Sequence, residues 1–115
     1  MPKIQIITGV IKECDVEKLE NLELIEGIIG RAAEFLDLTV LKTISHKFSP
    51  LGLTSVSLLA ESHIAVHTYP EESAIFVDVM SCGKRDAMKV FDMMEEGLDG
   101  RTEIVQNDVN YIGGE

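Results

Sequence analysis

At 115 residues, 45% of them apolar, the chain has the size and the material for one domain with one core, and it is too short for a separate cofactor module. Twenty Asp and Glu against ten Lys and Arg leave a net charge of -10, which repels nucleic-acid backbones and anionic lipid and so argues against both as partners. The same acidity suits a cationic small molecule, or serves only to keep the protein in solution.

Met1-Pro2-Lys3 and the residues after it meet Lys12, Glu13 and Asp15 before the apolar region and cleavage site of a secretory signal can form. No apolar run approaches the ~20 residues that cross a bilayer, so a soluble, cytoplasmic protein is expected. Cys14 and Cys82 lie far apart in a chain without an export signal, which points to free thiols and not to a disulfide framework.

Residues 3 to 11, rich in Ile and Val, read as a strand ended by Lys12-Glu13-Cys14-Asp15. Leu22, Ile25, Ile29, Ala32, Ala33 and Leu36 then recur at helical spacing, with Asp15 as a cap. Strands are expected over 38 to 46 and 53 to 60, joined by the turn chemistry of Pro50 and Gly52, and over 64 to 69 and 74 to 80. A second helix carries Ala87, Val90, Phe91, Met94 and Leu98 on one face, and a strand over 103 to 109 precedes a Gly-Gly tail. Two helices against about six strands predict an α+β fold, a two-layer α/β sandwich with a largely antiparallel sheet. Two helices cover one face of such a sheet, leaving the other to solvent, a second subunit or a substrate.

His63 and His67 are spaced for one face of a helix, but Ile64, Val66 and Thr68 favour a strand, where residues four apart stand roughly 13 Å from each other. No metal site is expected. Strand alternation sets His63, Ala65, His67 and Tyr69 on one side, and in the next strand Phe76, Asp78, Met80 and Cys82. In a hairpin of these two strands, His67 and Cys82 would face one another as proton acceptor and proton donor. The alternative is a structural thiol beside a hydrogen-bonded strand histidine.

The run Leu58-Leu59-Ala60-Glu61-Ser62-His63-Ile64-Ala65-Val66-His67-Thr68-Tyr69-Pro70-Glu71, followed by Asp78-Val79-Met80-Ser81-Cys82-Gly83, closely resembles the short prokaryotic S-adenosylmethionine decarboxylase proenzymes. The segment His46-Lys47-Phe48-Ser49-Pro50-Leu51-Gly52-Leu53-Thr54 is similar to the stretch preceding that motif in the family. The resemblance spans the whole domain in length and element order, and is tightest over residues 46 to 83. It implies a pyruvoyl enzyme that makes its own cofactor. The chain would be cut at Glu61-Ser62 into a β chain, 1 to 61, and an α chain, 62 to 115, whose first residue becomes the pyruvoyl group.

By the same resemblance Ser62 is the nucleophile and Thr54 a hydroxyl that assists processing. His67 is the base that removes the Ser62 α-proton. The pyruvoyl carbonyl then forms a Schiff base with the substrate amine and acts as electron sink, while Cys82 returns a proton to the α-carbon. Phe48 stacks on the adenine, Glu71 binds the ribose hydroxyls, and Tyr69 adds a contact nearby. A homodimer with four αββα layers is implied, each site near the subunit boundary.

The sequence departs from the family at several places: Tyr69 where many members have Trp, Met80-Ser81 where they have an aromatic and Thr, Ile4-Gln5-Ile6 where they have Gly-x-His, and Ser55 for a frequent Gly. These keep two further readings open. One is a pyruvoyl-dependent arginine or ornithine decarboxylase on the same scaffold; the other is a non-catalytic paralogue serving as partner of an active subunit.

Overall fold

Alternating apolar residues build six strands, which a computed structural model describes within residues 3–113; Met1, Pro2, Gly114 and Glu115, the ends of the chain and of its Gly-Gly tail, lie outside the described residues. The strands are β1 (Lys3–Lys12), β2 (Val40–Lys47), β3 (Leu53–Leu59), β4 (Ser62–Tyr69), β5 (Ala74–Ser81) and β6 (Arg101–Tyr111). They form one sheet in the order β2-β3-β4-β5-β1-β6, with every neighbouring pair antiparallel. The predicted α+β class and antiparallel sheet are therefore both present. The last strand runs longer than expected, because its backbone pairs with β1 from Arg101 to Tyr111.

The first helical stretch divides in two where the sequence suggested one helix. The Asp15 carboxylate accepts from the amides of Glu17 and Lys18 and starts α1 (Val16–Leu19). Asn21 then takes an extended backbone, and its side-chain oxygen accepts from the amide of Leu24 to start α2 (Leu22–Phe35). A second capping side chain inside the pattern ends one helix and begins the next. The third helix, α3 (Met88–Leu98), connects β5 to β6.

Helices α2 and α3 lie on the face of the sheet that carries Ile7, Ile11, Ile64, Val66, Val77 and Val79. Ile25, Ile28 and Ile29 of α2 and Phe91, Met94 and Leu98 of α3 close this core, all essentially without solvent contact. Each such side chain contributes about 1.5–3 kcal/mol on leaving water, so this layer dominates the stability of the fold.

Among the described residues no helix covers the opposite face. Ile44, Val56 and Leu58 are exposed there at 62%, 39% and 52%, next to the half-buried pair His63 and Asp78, whose Nε2 and Oδ2 stand 3.2 Å apart. Ala65, His67, Phe76 and Met80 share that face by alternation along β4 and β5. The polar side of β4 is thus the open side of the sheet.

Candidate active site

The turn between β3 and β4 sets the first part of the site. Leu59 pairs with Ser62, leaving only Ala60 and Glu61 to reverse the chain. Glu61 adopts φ 58, the left-handed region that residues with a Cβ seldom occupy. Such a conformation stores on the order of 1–3 kcal/mol, at the residue whose carbonyl precedes Ser62.

Ser62 opens β4 with a buried side chain. The Ser62 Oγ accepts a hydrogen bond from the Cys82 amide at 3.0 Å and donates to Cys82 Sγ at 3.4 Å. Longer contacts of 3.8 Å run from Cys82 Sγ to the carbonyl of Ala60 and to Glu61 Oε1. The hydroxyl is thus oriented by a backbone donor, with the Cys82 sulfur against it and the Glu61 carboxylate on the far side of that sulfur. A recess of about 580 Å³ beside this group is lined by Glu61, Cys82, Gly83, Lys84 and Arg85, and across it by Leu36, Asp37 and Leu38.

The remaining predicted residues gather at the other end of the same two strands. Thr54 pairs with His67 across β3 and β4, and its Oγ1 stands 2.8 Å from His67 Nδ1. Phe48, Tyr69 and Glu71 join them around a recess of about 340 Å³. Phe48 is fixed by its amide, which donates to the Gly52 carbonyl at 2.8 Å, and by the His46 ring, whose centroid lies 4.6 Å from its own in an edge-on contact. Glu71 sits in the one-turn 3-10 segment Pro70–Glu72 that links β4 to β5.

The two groups are not one cluster in a single chain. Ser62 and His67 are five steps apart along the strand, about 16 Å at the rise of a β-strand. Their side chains also point to opposite faces, Ser62 with the buried row and His67 with the open one. The expected pairing of His67 with Cys82 does not occur. The short 3-10 link makes Tyr69 pair with Ala74, and that register sets His67 against Phe76 and His63 against Met80. Cys82 consequently lies past the end of β5, beside Ser62.

Sequence reasoning missed three features of this site. The Cys82 amide has no signature in the sequence, since it reaches Ser62 only through tertiary register. The left-handed Glu61 follows from a two-residue turn, but reading a strand to residue 60 and beginning the next at 64 blurred that turn. The cations Lys84 and Arg85 belong to no motif in the sequence, and only the fold brings them to the recess beside Glu61. Cys14, the other free thiol, stands apart: burial, and then the Asp99 carboxylate, push it from an ordinary 9.0 up to about 11, and its Sγ donates to the Ile11 carbonyl at 3.4 Å.

The family model for S-adenosylmethionine decarboxylase matches residues 6–108. The chain belongs to this family. Among relatives in the S-adenosylmethionine decarboxylase family, the S-adenosylmethionine decarboxylase proenzyme of Clostridium botulinum (strain Loch Maree / Type A3) is 36% identical over 86 residues, 74% of each chain. The proenzyme of the same name from Pseudomonas aeruginosa (strain LESB58) is 32% identical over 103 residues, 89% of this chain and 64% of that one. A crystal structure of the adenosylmethionine decarboxylase from Aquifex aeolicus VF5 superposes with a TM-score of 0.76 at 29% identity, covering 94% of this chain and 88% of the other. The residues matched to the S-adenosylmethionine decarboxylase family include both the Ser62 group and the recess around His67.

Proposed function

We propose that this chain is a self-processing S-adenosylmethionine decarboxylase whose cofactor is a pyruvoyl group made from Ser62. The observation that carries the reading is the Ser62 hydroxyl, held between the amide and the sulfur of Cys82 and next to the left-handed Glu61. The Ser62 Oγ adds to the Glu61 carbonyl carbon as the C–N bond breaks, which forms an ester and leaves a free amine on Ser62. Relief of the Glu61 backbone favours this shift against the resonance of the amide. A base then takes the Ser62 α-proton, the Cβ–O bond breaks, and Glu61 departs as a carboxylate. The resulting enamine tautomerises, and water replaces its nitrogen, releasing ammonia and leaving a ketone carbonyl at residue 62.

That carbonyl supplies an electrophile for the substrate amine and an electron sink for the electrons that carbon dioxide leaves behind. Phe48 offers a face to the adenine, Glu71 two acceptors for the ribose hydroxyls, and Tyr69 a rim contact, while the acidic surface favours the sulfonium cation. Cys82 holds a proton beside residue 62, where the α-carbon needs one after carboxylate loss. The product is the aminopropyl donor of polyamine synthesis, spermidine included, made in the cytoplasm, where both thiols stay reduced.

The working unit is a homodimer. His67 stands about 16 Å along the strand from the Ser62 of its own chain, so His67 of the partner subunit acts as the base. Packing the open sheet faces of two copies covers Ile44, Val56 and Leu58 and gives the four-layer αββα arrangement. The test is intact mass of the purified chain, followed by carbon dioxide release from S-adenosylmethionine, arginine and ornithine. Fragments of 61 and 54 residues, the second lighter by one ammonia than a serine-initiated peptide, are expected, with turnover of S-adenosylmethionine alone. An uncut chain, or release from arginine or ornithine only, overturns the reading.

A further inference from the structure

Three of the ten cations in this acidic chain crowd one place near the cleavage site. Lys84 and Arg85 line the recess that Glu61 and Cys82 enter. The Arg85 guanidinium carbon lies 5.5 Å from the centre of the Phe35 ring and Lys89 Nζ lies 5.3 Å from it, so both are steered by the aromatic face. Among the described residues neither Lys84, Arg85 nor Lys89 forms an ion pair, whereas Lys12, Lys18 and Arg101 each do. The carboxylates facing the recess are those of Glu61 and Asp37.

The chemistry of processing gives these free cations a task. Ordinary peptide hydrolysis leaves a carboxylate and an ammonium side by side, and the two charges offset each other. Here the nitrogen departs as ammonia and the carbonyl at residue 62 is neutral, so the new carboxylate at Glu61 has no counter-charge of its own. The turn that held Glu61 at φ 58 is also cut, which frees that chain end to move. We propose that Lys84 and Arg85 receive the carboxylate released at Glu61, drawing the end of the β chain into their recess and away from the residue 62 carbonyl. Substrate then reaches that carbonyl without competition from an anion. The inference rests on cleavage at Glu61-Ser62.

The experiment compares K84Q, R85Q and the double variant in two backgrounds, the wild-type full chain and the uncleavable S62A chain. Thermal unfolding, intact mass and decarboxylation are followed in each. The extent of cleavage should match wild type, since the cations act only afterwards. The double variant should lower the Tm of the cut protein by about 4 °C, a fold-change of about five in the folding equilibrium. In the S62A chain it should leave Tm unchanged, and KM should rise with kcat nearly constant in the cut enzyme. K84R and R85K should restore wild-type behaviour. Equal Tm effects in cut and uncut chains overturn the proposal and leave cleavage standing; a wild-type chain that never cuts overturns both.

Discussion

The hydroxyl of Thr54 meets His67 at Nδ1, 2.8 Å away, which leaves Nε2 as the nitrogen for chemistry. For Nε2 to accept a proton, Nδ1 must carry hydrogen and donate it to Thr54 Oγ1. On the proposed mechanism Thr54 is thus a positioning residue that selects this tautomer.

Replacing Thr54 with Val removes the acceptor at constant shape and should slow α-proton removal by about 10²-fold, whereas Thr54→Ser should retain most of the rate. The check is the time course of cleavage by mass, with its pH profile: the Val variant should shift the profile, which a packing defect alone does not do. His67→Ala should stop at the same step altogether, at an ester that hydroxylamine cleaves.

The two thiols should separate by reactivity. Cys14 is buried and raised to about 11, so iodoacetamide at pH 8 should label Cys82 and spare Cys14. The unfolded thiol ionises from about 9, the folded one only near 11, so unfolding gains from ionisation inside that window. Stability contributed by the neutral thiol is complete below pH 9 and falls as pH rises toward 11. A Cys14→Ala variant should show a flatter decline of Tm over that range. Cys82→Ser should still cut but turn over about 10²-fold more slowly, because a hydroxyl is a far weaker acid.

Gly100 tests the seam between α3, β1 and the first turn. A Cβ there would stand 2.5 Å from Ile11 Cγ2, 2.7 Å from Cys14 Sγ and 3.0 Å from the Lys12 carbonyl oxygen. The backbone cannot retreat as a side-chain end can, so Gly100→Ala should cost about 1–3 kcal/mol, read as a fall in Tm. Decarboxylation per folded molecule should be unchanged, since neither Gly100 nor the residues its Cβ would meet line either recess.

Much of this molecule was legible in its sequence because period-two alternation is a local signal. Ile64, Val66 and Thr68 went to one face and His63, Ala65 and His67 to the other, as their order dictates. Register is a non-local property, set here by the short link Pro70–Glu72 and not by the composition of either strand. That is why the face of His67 was readable while its neighbour Phe76 was not. The residues implied by family resemblance were all placed near a recess, but their division between two ends of β3 and β4 required the fold. A cap at Asn21 likewise competes with a continuous helical pattern, and only the side-chain hydrogen bond to Leu24 decides between them.

That division makes the dimer testable by mixing two inactive chains. Ser62→Ala keeps His67 but has nothing to convert; His67→Ala keeps Ser62 but lacks the base. Alone, neither should release carbon dioxide. In a mixed dimer of the proposed kind, Ser62 of the His67→Ala chain would lie against His67 of the partner subunit, here the Ser62→Ala chain, and one of the two sites would be complete. Co-refolding should therefore cut the His67→Ala chain at Glu61-Ser62 and restore up to about half of wild-type activity per mixed dimer. Placing Asp at Leu58, exposed on the open face, should abolish this rescue by setting two charges in the contact between sheets. Sedimentation should then report a monomer, with Tm lowered only modestly because Leu58 takes no part in the helical core. Absence of rescue in the mixed dimer, or full activity in a monomer, would show that each chain completes its own site; cleavage of the His67→Ala chain by itself would show that His67 is not the base.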